Sequence, residues 1–232
     1  NHDDAYGDAH LEACANLAPN TATLAINLLR PDGTLLFPAS AVLERNGLKI
    51  GVIGVFKPRD ELSLDLEATA QSVAREAERL EPLVHLVVVV AHLGTGDCEV
   101  IARAARNVDV FVTGHTHQAL HRPIVSRASG ALMVQAGHYA EYVGRLELVV
   151  DDVTEEIVSQ RGALVEMKHD TIAPDAEMQA RFTAHERDVT PQAAEFVAEV
   201  AAPIGFKEMA YLGAEGLRRE AGTEIGFCHM SQ

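Results

Sequence analysis

The chain has 232 residues, 47% of them hydrophobic and 23% charged, the proportions of an ordinary folded domain rather than a fibre or a disordered tail. A formal net charge of −15 argues against a groove for long nucleic acid, which is held by lysine and arginine. Cys14, Cys98 and Cys228 show no C-x-x-C spacing and read as packing residues, and the apolar runs are strand-sized, too short for the ~20 residues that cross a bilayer.

In chain order, residues 21–29 read as a strand. Residues 41–45 and 48–56 flank Asn46-Gly47, a dipeptide that tolerates the left-handed backbone of a tight hairpin, so the two are an antiparallel pair. Residues 65–80 carry Leu66, Ala70, Val73, Ala77 and Leu80 on one helical face, and Pro82 stops the helix. A strand at 86–90, a crossover helix at 98–106 and a strand at 108–112 form a right-handed parallel unit. Strands follow at 131–135 and 142–150, the second alternating Leu146, Leu148 and Val150 with Arg145 and Glu147. Residues 166–174 are polar and read as a linker. Helices come next, with Pro191 in a first turn behind Thr190, then a helical run at 214–221 and the opening of a strand at 223–227. The class is α/β with mixed strands.

Two segments carry the chemistry. Val87-Val88-Val89-Val90-Ala91 empties into His92, and Val108 to Thr113-Gly114 into His115-Thr116-His117. A continuous apolar run is the pattern of a parallel strand covered on both faces, and ligands gather at the carboxyl ends of such strands. Three imidazoles delivered to that rim point to a divalent metal. A mononuclear H-x-H-x-D site is excluded, because Ala119 stands where the carboxylate belongs. Gly96-Asp97 reads as a solvated helix opening. His10, His85, His121, His169, His185 and His229 have no ligand spacing, whereas His138 follows Gly137 at another strand end and is a candidate for contact with substrate or with a metal ligand.

The first residues are Asn1-His2-Asp3-Asp4, followed by Tyr6-Gly7. With His92 and Gly114-His115-Thr116-His117 they resemble the signature GNH-[DE] … H … GH-x-H of the calcineurin-type metallophosphoesterases, on the 5′-nucleotidase branch. Ala25-Ile26-Asn27, Leu48 to Gly54, Val134 to Tyr139 and Val143-Gly144 resemble further segments of that branch in the same order. The resemblance implies an incomplete four-layer α/β/β/α sandwich over residues 1–165. It further implies linker helices over 166–205 and the start of the nucleotidase C-terminal domain over 206–232.

It also implies roles. Asn1, His92 and His115 resemble ligands of one metal and His117 a ligand of a second, with Zn, Mn, Mg or Fe as the candidate ions. His2 resembles the histidine that acts on the substrate phosphate. The family's D-x-H and G-D ligand motifs precede GNH-[DE], so the chain reads as an internal piece of a longer enzyme, inactive alone. The aspartate that orients the signature histidine in many members is replaced by Ala5, with Asp4 one residue away. The implied activity is metal-dependent hydrolysis of nucleotide phosphomonoesters. Alternatives are a 2′,3′-cyclic-nucleotide phosphodiesterase of the same fold and a non-catalytic binding relic. The implied partner is a small phosphorylated substrate, and the implied location periplasmic or extracellular.

Overall fold

The computed structural model describes residues 3–58, 63–151, 153–154, 156–168, 171–189, 191, 199 and 202–227. Two compact units divide the chain, residues 1–173 and 174–232.

The first unit is built on a six-stranded sheet. Strands β1 (Ser40–Arg45) and β2 (Leu48–Val55) form the hairpin expected from Asn46-Gly47, whose φ values of 51° and 83° supply the left-handed turn. Helix α1 (Asp8–Asn16) precedes them. Helix α2 (Leu66–Leu80) starts where the Asp65 carboxylate accepts a hydrogen bond from the Ala68 amide, and it buries Ala70, Val73, Ala77 and Leu80. Strand β3 (Leu86–Ala91), helix α3 (Thr95–Ala104) and strand β4 (Val110–Val112) form the expected parallel unit. Strands β5 (Ile124–Val125) and β6 (Leu132–Val134) complete the order β1-β2-β3-β4-β6-β5. The inner strands β2, β3, β4 and β6 are mutually parallel, so all four open at one rim.

The core lies on the side of α2 and α3. Ile53, Val55, Val87, Val89 and Phe111 from the sheet meet Val73, Leu80 and Ile101 from the helices. The continuous valine run of β3 is covered less symmetrically than its composition suggests, since Val90 is 47% exposed and Val112 of β4 is 40% exposed. On that open side a second, two-stranded antiparallel sheet, β7 (Tyr142–Val150) and β8 (Ile157–Glu166), contributes Leu146 and Leu164 to a cleft whose other wall includes Val112 and Val134. The mixed α/β fold, with a mainly parallel central sheet and a second sheet beside it, is the one the motifs imply.

Two sequence expectations are corrected. Residues 21–29 form no strand: the Ile26 amide donates to Gly54 O at 2.9 Å and the Asn27 side chain brackets Phe56, but no ladder develops beyond a lone Leu29–Leu35 bridge. Gly54 lets this segment lie against β2, because a Cβ there would collide with the Leu24 carbonyl. Residues 223–227 form no strand either. Helix α5 (Phe206–Ala221) ends at Gly222 in the left-handed conformation, and the Thr223 amide turns back to Arg218 O at 3.1 Å. Strand β8 lacks a regular alternation in sequence: Gln160 and Gly162 share the face of Leu164, and Val158 and Val165 are exposed. In the second unit α4 (Ala176–Val189) precedes α5, and Thr190 lies outside the described residues.

Candidate metal centre

The site is assembled at the carboxyl rim of the four parallel strands. His92 is the first residue past β3, and its amide donates to Val55 O at 3.0 Å, which extends the β2–β3 ladder by one step. Past β4 the chain cannot run straight on. Gly114 donates its amide to Leu93 O at 2.9 Å, and His115 and His117 take φ values of 63° and 57°. For L-residues that backbone is uncommon, and it turns both imidazoles out of a short loop.

Gly94 permits this packing: a Cβ there would lie 2.5 Å from Thr116 Cγ2. Thr116 is in turn anchored, its hydroxyl donating to the Gln135 side-chain oxygen at 3.0 Å. Gln135 is only 4% exposed and follows β6, so the loop is tied to the next strand's end.

The resulting rings form two pairs. His92 and His115 stand edge-on with centroids 5.4 Å apart, and His117 stacks on His138 at 5.0 Å with 21° between the planes. Tyr139 packs against His138 at 4.3 Å and reaches His117 at 6.1 Å. The structure thus brings His92 and His115 together and sets His117 beside His138. Asn1 and His2 lie outside the described residues, and Asp4 sits in a single helical turn, Asp3–Tyr6. Gly96 and Asp97 open α3, as expected. The Thr116–Gln135 bond had no sequence signal, because it depends on which loops meet in space.

Neutral imidazole is the right donor for a borderline divalent cation such as zinc. Among the described residues no group of three His, Cys, Asp or Glu is placed to hold a metal ion. No helix of the described residues is long and apolar enough to cross a membrane.

No protein-family model matches the chain. Curated relatives do. An uncharacterised metallophosphoesterase of Bacillus subtilis, YunD, is 28% identical over 190 residues, covering 78% of this chain and 40% of that protein. An apyrase of Tabanus yao is 31% identical over 159 residues, covering 58% and 28% respectively. The chain therefore spans less than half the length of either. Among solved structures, a 5′-nucleotidase precursor from Thermus thermophilus superimposes with a TM-score of 0.76 at 23% identity, over 96% of this chain and 51% of the other. That likeness is one of fold. Several of the relatives and fold neighbours are metallophosphoesterases or 5′-nucleotidases, the superfamily and branch that the motifs resemble.

Proposed function

We propose that this chain belongs to the calcineurin-like metallophosphoesterases, on the 5′-nucleotidase branch, and carries part of the active centre of a metal-dependent nucleotide phosphomonoester hydrolase. Enzymes of this family use divalent metal ions. The observation that carries the proposal is the pairing of His92 and His115. Two adjacent parallel strands deliver these imidazoles to one rim with centroids 5.4 Å apart, and His117 follows two residues later.

In this account His92 and His115, with Asn1, hold one ion and His117 holds a second. Bound metal supplies charge to stabilise a phosphoryl group and lowers the pKa of a coordinated water. The chain's own residues do the rest. The Gly94–Thr116 contact and the Thr116–Gln135 bond fix the loop, so His115 and His117 are preorganised before substrate arrives. His2, protonated, would donate to a phosphoryl oxygen or to the leaving oxygen. An acidic chain surface is no obstacle to an anionic substrate, because the local charge at such a site is set by the ions. A location outside the cytoplasm is part of the same proposal, from the resemblance.

Release of inorganic phosphate from a nucleoside 5′-monophosphate by the whole protein tests this. We expect turnover with divalent metal that disappears on exhaustive chelation and returns on metal addition. Undiminished activity after chelation would overturn the proposal. Turnover confined to a 2′,3′-cyclic nucleotide would move the substrate to the phosphodiesterase alternative, and metal binding with no turnover on either would support the binding relic.

A further inference from the structure

His138 stands outside every ligand role assigned above, yet its ring packs face to face with that of His117, centroids 5.0 Å apart and planes 21° from parallel. We propose that His138 is a positioning residue that holds the His117 imidazole by ring stacking. The proposal rests on His117 being a metal ligand.

The geometry favours stacking over a hydrogen bond. An imidazole's lone pair and N–H lie in the ring plane, so nearly parallel rings cannot aim them at each other. Such a neighbour restrains the His117 ring while leaving both of its nitrogens available, as a ligand requires. His117 is solvent-exposed on a left-handed residue, and an imidazole held on one side by water alone would lose rotational freedom on binding an ion.

The backbone beneath is built to hold the pair. The Gly137 amide donates to Gln118 O at 2.9 Å, joining the residue before His138 to the residue after His117, and Ala119 and Ala136 form a bridge just beyond. Gly137, Tyr139 and Ala140 all have positive φ, and the Glu141 amide closes the turn onto His138 O at 3.1 Å. Two adjacent non-glycine residues in that region carry a backbone cost that persists only where the surroundings impose it. His138 itself is clamped. Tyr139 packs on it at 4.3 Å, the Glu141 carboxylate lies 3.5 Å from its Nδ1, and that nitrogen is buried without a hydrogen-bond partner.

Two substitutions separate the ring from its nitrogens. His138→Phe keeps a flat ring and His138→Ala removes it. Supports of a metal ligand typically contribute 10–100-fold in affinity, so the Mn²⁺ dissociation constant should rise by about that factor in His138→Ala and stay within about threefold in His138→Phe. Reduced kcat in His138→Ala should recover at saturating Mn²⁺. Equal weakening in both variants would assign the effect to a nitrogen, and no change in either would leave His138 without the role; both overturn the proposal. If the unaltered protein binds no Mn²⁺, it is the ligand role of His117 that fails. The metal-free arm then decides the positioning. The His117 ring-proton resonances, assigned by their loss in His117→Ala, should shift and broaden in His138→Ala and remain sharp in His138→Phe. Unchanged lines in His138→Ala would overturn it.

Discussion

At the scale of single residues, the site depends on backbone conformations that its own side chains do not favour. His115 and His117 both sit in the left-handed region, and the sequence marks this only through Gly114. The histidine spacing was legible because the residue types are rare and clustered; the loop conformation was not, because a threonine between two histidines has no turn signature. Gly94 makes the dependence testable. Gly94→Ala should push Thr116 from its place, break its bond to Gln135 and cost about 1–3 kcal/mol as the buried amide loses its partner. Urea midpoints and metal affinity should both fall, and an unchanged metal affinity would show the loop to be indifferent to Thr116. The proposed roles separate in the same way. His115→Ala should lose bound metal, whereas His2→Ala should keep it and lose roughly 10²–10⁴-fold in rate. Equal metal loss by elemental analysis would contradict that division.

At the scale of elements, what the sequence made plain was what local chemistry decides. The hairpin, α2 and its Asp65 cap, and the β3–α3–β4 unit follow from turn residues, helical spacing and apolar runs. Removing the cap with Asp65→Ala should lower stability by about 1 kcal/mol, measured as a shift of the thermal midpoint. What stayed hidden was decided by partners distant in sequence. Residues 21–29 have strand composition, yet only one backbone bond reaches β2, and 223–227 fold back along α5 once Gly222 turns the chain. Asp109 is a further case. It opens the parallel unit from below, accepting from the Val87 amide at 2.7 Å, and burial holds its carboxyl above the usual range, with the nearby Glu81 charge adding to this and the Val87 bond opposing it. A carboxyl raised in the folded state contributes most below its unfolded pKa and loses that contribution as pH rises through the folded value. Asp109→Asn keeps an acceptor for Val87 and cannot ionise. Its urea midpoint relative to the unaltered protein should therefore be higher at about pH 7.5 than at about pH 4.5. The opposite order would contradict burial as the dominant effect on Asp109.

At the scale of the whole molecule, the parallel arrangement of β2, β3, β4 and β6 explains why residues far apart in sequence share one rim. His92, His115, His117 and His138 each follow the end of one of these strands, so a single sheet brings three stretches of sequence to one rim. The net charge of −15 is compatible with the proposed small ligand, whose charge would be met by bound metal. The central claim is that His92, His115 and His117 bind divalent metal, and anomalous diffraction from crystals of the protein soaked in Mn²⁺ tests it most directly. The account predicts anomalous density within coordination distance of His92 and His115 and a second peak beside His117, both lost in His115→Ala and His117→Ala respectively. Density elsewhere on the protein, with the three imidazoles bare at saturating Mn²⁺, would contradict it.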